Sequence, residues 1–279
     1  MNILQYFKHL ISNISLQDDD HEEQKTISKN YKQQFKNLIN EASYILESDD
    51  ISSNDEHPIF IFIKQITDYI TIHNSLNAYW HSDNDFHFLF GKCLEKNVSN
   101  NYVKSIITRE VHDENKRYYR NVTFHSETIM FDYSISPIII NPWHKRRTSD
   151  ALINIATQNN KFDSIQYNHN ISNYYCYPMG FIYCHNGNHS QYSAKLKNKG
   201  KTHIEQIDDW TYLYSYIIFD GEKFIYDFPN QSYTNYPIEY EIEQDLELYI
   251  GVLFEIGRLL IDKKNVFPKQ IQDLITQNI

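Results

Sequence analysis

The chain has 279 residues, 41% of them hydrophobic, enough to bury the core of one large domain or two small ones. Its formal charge of −10, from 26 Lys and Arg against 36 Asp and Glu, excludes a general nucleic-acid-coating role unless positive charge is gathered locally, and the excess is too small and scattered for a mimic of DNA. Three cysteines, Cys93, Cys176 and Cys184, an odd number with no CxxC spacing, fit a reduced compartment, the cytoplasm, better than a disulfide framework.

The opening stretch MNILQYFKHLISNISL mixes apolar and polar residues without a long apolar core or a small-residue cleavage pattern, so it reads as a helix and not as a signal peptide. Residues 25–47 place Ile27, Tyr31, Phe35, Leu38, Ala42 and Ile45 at steps of three and four, a stripe that predicts an amphipathic helix. Pro58 opens a second apolar helix through Trp80, in the first-turn position that proline favours. The acidic stretches DDDHEE and ESDDISSNDEH read as solvated connections. A change of pattern near residue 125 divides a helical N-terminal region, 1–125, from an α+β region, 126–279.

In the second region, TIMFDYSISPIII is β-branched and aromatic and predicts a strand stopped by Asn141-Pro142-Trp143. A short helix over 148–158 follows, with Thr148 or Ser149 as its cap. YPMGFIYCH predicts a strand, HSQYSAKLKNK a helix and KTHIEQID another strand. TYLYSYIIF and KFIYD, joined at Asp220-Gly221, predict a hairpin, because that dipeptide supplies the positive φ of a tight turn. Residues 239–264 read as one long amphipathic helix, and a short helix follows. The fold expected is therefore α+β: a mainly helical N-terminal part, a small mixed β-sheet core and a long C-terminal helix. The apolar run LYIGVLF is far shorter than the ~20 residues of a membrane span. The 23 tyrosines are spread along the chain and read as core and surface filling.

Between residues 136 and 209 the chain runs strand, Asn141-Pro142-Trp143-His144-Lys145-Arg146-Arg147, helix, strand, Gly187-Asn188-His189-Ser190-Gln191-Tyr192-Ser193-Ala194, helix, strand. This order resembles the core of the ParB and sulfiredoxin superfamily, in which an arginine-containing segment and a G-x-H-R-x-x-A turn flank a phosphate site. The resemblance covers about 75 residues and implies nucleotide or phosphate binding, with nuclease or nucleotide hydrolase activity. Two departures stand out. Ser190 replaces the family's arginine, and Asn188 occupies the place of the sulfiredoxin cysteine, which argues against sulfinic-acid reduction.

Three readings of the 185–196 stretch remain open. The first is an anion site in which Gly187 and Asn188 give a backbone cradle, His189 acts as acid, base or phosphate donor, Ser190 donates a hydroxyl, and Arg146 and Arg147 supply charge. The second is a plain turn and helix cap with no ligand. The third is a metal site using His144, His185 and His189 with Asp132, Asp208 or Asp209 as oxygen ligands. Asp208 and Asp209, at the end of a strand, suit Mg²⁺ beside phosphates, or simply begin a turn. Cys184 reads as a small buried hydrophobe and not as a nucleophile.

A non-catalytic alternative is a contact protein, an immunity or regulatory factor of a bacterium or phage. The stripe Ile242, Leu246, Tyr249, Leu253, Ile256 and Leu260 then serves homo-oligomerisation through the C-terminal helix, or else ordinary core.

Overall fold

A computed structural model describes residues 23–48, 57–80, 120–123, 129–226 and 238–278. The expected helix at 1–16, most of the two acidic stretches and Cys93 lie outside the described residues.

Helix α1 (Glu23–Leu46) forms where the stripe required it and packs on the C-terminal helix, with Ala42 and Leu46 buried. Helix α2 (Pro58–Trp80) begins at its proline. His57 closes that end: its Nδ1 accepts the N–H of Ile59 and its carbonyl the N–H of Phe60. Ile59, Phe60, Ile63, Ile66 and Ile70 bury the face that meets the sheet.

The main sheet has five strands, β1 (Arg120–Thr123), β3 (Ile138–Ile139), β4 (Ser172–Tyr177), β5 (Phe181–Asn186) and β7 (Gln206–Asp209), in the order β1-β7-β4-β5-β3. The β1/β7 and β4/β5 pairs are antiparallel, whereas β7/β4 and β5/β3 are parallel. Strands β2 (Met130–Asp132) and β6 (Lys201–His203) make a small antiparallel pair. A third sheet, β10-β9-β8, joins β8 (Ile217–Phe219), β9 (Lys223–Tyr226) and β10 (Ile238–Glu241). Helices α3 (Lys145–Asn154), α4 (Asn188–Leu196), α5 (Asp245–Leu260) and α6 (Lys269–Asn278) complete the described elements. The fold is α+β, and one hydrophobic core runs from Ala42 and the α2 isoleucines through the sheet to α5 and Ile275. No helix among the described residues is long and apolar enough to cross a membrane.

Several elements differ from expectation for local reasons. The strand expected over 128–140 is two strands, because Asp132 Oδ1 accepts from the N–H of Ser134 and Ser136 N–H bonds Asp132 O, turning the chain between them. The strand expected at 177–185 is the turn and second arm of the β4–β5 hairpin. The strand expected over 201–208 splits, β6 joining β2 while β7 joins β4 and β1. Residues 120–123, expected to be helical, form edge strand β1. The helix expected over 239–264 begins only at Asp245, since Ile238-Glu239-Tyr240-Glu241 alternates with period two and pairs with β9. Its stripe is core: Leu246, Leu253, Ile256 and Leu260 are buried, so that face is occupied by the protein's own interior. The expected hairpin forms between β8 and β9, but its first arm is shorter than expected, since Thr211–Ser215 is a 3-10 helix, and its loop is wider than a two-residue turn: Phe219 pairs with Phe224, Asp220 Oδ1 accepts from the Glu222 and Lys223 amides, and only Gly221 has positive φ, at 99°.

Candidate functional site

Parallel neighbours β3 and β5 end on the same side of the sheet, and each feeds a helix there: β3 runs through residues 140–144 into α3, and β5 through Asn186 and Gly187 into α4. The two helices pack on each other, and two hydrogen bonds stitch their entrances together. The backbone N–H of Asn141 donates to Asn188 Oδ1 at 2.8 Å, and that of His144 donates to His189 Nε2 at 3.2 Å. Such an end of a sheet, beyond the strand termini and lined by helix N-termini, is where positive backbone dipole accumulates.

Gly187 makes the turn. It sits at φ 80°, and a Cβ there would lie 2.5 Å from Ile171 Cδ1 and 2.7 Å from Asn170 O, so glycine is required twice over. Its own N–H is satisfied by Asn186 Oδ1 at 2.9 Å. Beyond it, no side chain caps α4, the first turn carries no acidic residue, and the Asn188, His189 and Ser190 amides meet no acceptor among the described residues. By contrast α3 is capped: His144 Nδ1 accepts from Arg147 N–H at 3.2 Å, a cap supplied neither by Thr148 nor by Ser149 as expected. Thr148 Oγ1 instead donates to His144 O at 2.9 Å.

Half-buried Trp143 lies at the junction. Its ring meets the rings of His144 at 5.6 Å and His189 at 5.5 Å edge-on, and the exposed Arg147 guanidinium sits 5.6 Å from its centroid. Burial first, and then the neighbouring Arg147 and His144, hold His189 well below the ordinary histidine range, at about 4. Asn141 is 1% exposed, and its Nδ2 has no hydrogen-bond partner among the described residues.

Behind the entrance the buried amide of Gln191 is fully bonded. Gln191, fully buried, donates from Nε2 to Asn173 Oδ1, Asn186 O and Cys184 Sγ, and its Oε1 accepts from Tyr133 and Thr202 hydroxyls at 2.8 Å each. Asn173 Nδ2 bonds Thr202 Oγ1 and His203 O in turn. Further along α4, Tyr192 donates to Ser75 at 2.6 Å, and buried Lys195 pairs with Asp68 at 2.6 Å, fixing the helix against α2. No sequence pattern marks Gln191, Asn173, Tyr133 or Thr202, since a lone amide one turn into a helix has no pattern of its own.

Of the expected site residues, the structure brings together Arg147, Gly187, Asn188, His189 and Ser190, with His144 beside them. Arg146 is 87% exposed and lies 4.0 Å from Asp150, directed along its own helix. Exposed His185 stacks on Tyr174 at 5.2 Å. Asp208 and Asp209 lie at the other end of the sheet: Cys176, opposite Asp208, also pairs with Phe181, the first residue of β5, whereas the cradle follows the last. Burial raises the Asp208 carboxyl, opposed by its bond from Gln206 and by His185. Asp209 Oδ1 accepts from Thr211 N–H at 2.9 Å and so begins a turn. Asp132 accepts from Ser134 at the β2–β3 turn, before the start of β3, whereas the cradle follows its end. Among the described residues no group of His, Cys, Asp or Glu is arranged to hold a metal ion.

No curated protein and no solved structure matches the chain. One family model does, over residues 19–267, nearly the whole length: the chain belongs to the family of unknown function DUF6710.

Proposed function

We propose that the junction of α3 and α4 binds an oxyanion, the phosphate of a nucleotide or of a nucleic acid. One observation carries this reading: α4 opens without a side-chain cap or an acidic first turn, directly beside the entrance of α3 and Arg147. Three unspent amides and the positive end of the dipole favour a negative ligand there. The unpartnered Nδ2 of Asn141, in the segment bonded to Asn188, adds a buried donor in search of an acceptor. With a net charge of −10, only such a local concentration of donors attracts phosphate. A ParB/sulfiredoxin-like core, for which the strand–helix order of this segment speaks, is part of the same reading, as is nuclease or nucleotide hydrolase activity. Its setting is the cytoplasm, in keeping with the free, buried thiols of Cys176 and Cys184.

Calorimetry against a panel of nucleotides and short oligonucleotides, with and without Mg²⁺, tests it. Arg147→Ala is expected to weaken binding about tenfold or more, the worth of a charge-assisted hydrogen bond, and Arg146→Ala to leave it unchanged. Absence of binding to every member of the panel defeats the reading.

One observation favours the contact-protein alternative. Ile72, Leu76 and Trp80 form an exposed row on α2, 44%, 53% and 83% exposed. Light scattering decides whether that row joins two copies: a strict monomer at high concentration removes the self-association form.

A further inference from the structure

We infer that His189 works in this cradle as a neutral hydrogen-bond donor and never as a base, so that the site accepts an oxyanion and refuses a divalent metal; the inference rests on the anion-site reading above. A neutral imidazole offers one acceptor nitrogen and one donor nitrogen. His189 Nε2 accepts the backbone N–H of His144 at 3.2 Å, so the ring proton belongs on Nδ1. The same arrangement is repeated one step earlier, where His144 Nδ1 accepts the N–H of Arg147 and its own proton belongs on Nε2. Both acceptor lone pairs at the junction are thus engaged by amides of the α3 entrance, one at its N-cap and one in its first turn. A metal ligand and a general base each require that lone pair.

Charging His189 would place an N–H directly against the amide N–H of His144. The charged and titratable groups around the ring push the same way: Arg147 and His144 face it from the α3 side, and the first turn of α4 brings no carboxylate. Asp150, the acid nearest in α3, lies beside Arg146. Burial adds to this, and the ring stays neutral down to about pH 4. An anion held here is therefore held by Arg147, backbone amides and a neutral ring. Its affinity does not depend on histidine protonation, and any hydrolysis of a bound phosphate takes its base from elsewhere.

Ring-nitrogen NMR spectra of the ¹⁵N-labelled full chain, with His189 and His144 signals assigned through His189→Gln and His144→Gln, read the tautomer directly. The expected spectrum has a protonated Nδ1 and a bare Nε2 on His189, unchanged from about pH 8 to about pH 5, the window in which an ordinary histidine titrates. Sulfate, whose charge is constant across that range, should bind with a Kd constant within about twofold. One equivalent of Zn²⁺ should leave the His189 ring signals in place. A proton on Nε2, a ring titrating near its ordinary value, sulfate affinity rising about tenfold on acidification, or Zn²⁺ shifting the His189 ring each overturns the inference. Sulfate that fails to bind at any pH while the ring spectrum is as stated defeats the anion site itself, and leaves the tautomer standing.

Discussion

Helices α4 and α5 both begin without a side-chain cap, yet they resolve the same electrostatic problem in opposite ways. At α5 the first turn carries Asp245 and Glu247; Glu247 Oε2 takes the N–H of Glu243 at 2.5 Å, and Asp245 takes the hydroxyl of Tyr31. The chain thus neutralises that dipole with its own carboxylates. At α4 there is no acid in the first turn, and the cation Arg147 acts on His189 there. An uncapped helix start is common in itself. What distinguishes α4 from α5 is that its surroundings add positive charge where α5 adds negative charge.

The largest expected effect comes from breaking what holds α4 in place. Gln191→Leu removes five hydrogen-bonding partners from a fully buried cluster and leaves the Tyr133 and Thr202 hydroxyls and Asn173 Oδ1 short of partners. A loss of about 3 kcal/mol is expected in urea unfolding, the cost of several stranded polar groups. A loss below about 1 kcal/mol would mean that the bonded Gln191 amide behind the cradle is not what positions it. Gly187→Ala comes next at roughly 2 kcal/mol, from a left-handed backbone and a collision with Ile171 and Asn170. The same denaturation series ranks the two, and a neutral Gly187→Ala would show that the turn can relax.

How much of this was legible in the sequence follows from the range of the forces. Helices α1 and α2 were readable from the 3.6-residue stripe and from Pro58, because both signals are local. The turn at Asp220-Gly221 is local in the same way, whereas the 3-10 helix at Thr211–Ser215, which shortens the hairpin's first arm, carries no such signal. Residues 239–241 read as the start of the long helix because the apolar stripe begins beside them at Ile242, and only the pairing with β9 makes them a strand. The turn at Gly187 and the start of α4 were legible to within a residue, but the role of Asn188 was not: its Oδ1 serves Asn141, 47 residues away, and not its own helix. Asp208 and Asp209 were drawn to the cradle by adjacency in the chain, and strand direction separates them from it.

Acid supplies the third prediction. His57, His189 and His203 all have folded pKa values lowered, first of all by burial, and both ring nitrogens of His203 lack a partner among the described residues. A histidine of this kind takes up its proton in the unfolded chain first, so acid favours unfolding. Their contribution is complete above the ordinary value of about 6.5 and declines as pH falls through it, for His189 continuing to about 4. The urea midpoint at pH 5 should lie below that at pH 7 by the equivalent of on the order of 1 kcal/mol, and His203→Phe should reduce the difference. Unchanged midpoints, or a protein more stable at pH 5, would show these rings to be charged in the fold, and would remove the neutral donor from the cradle.

The smallest effect on stability gives the sharpest test of the comparison. Ser190 is the third residue of α4, where a carboxylate lies beside the free amides of the first turn and the positive end of the helix dipole. Ser190→Glu converts the α4 entrance into a copy of the α5 entrance, with a carboxylate of its own in the first turn. Stability should rise by about 0.5 kcal/mol, since the new charge meets an unspent dipole and the Arg147 cation. Sulfate and nucleotide binding should disappear in the same protein, because the ligand's place is then taken by the chain. The two changes have one cause and opposite signs. A variant that is stabilised but still binds would place the ligand away from these amides, and one that is destabilised would mean the helix start was already electrically satisfied.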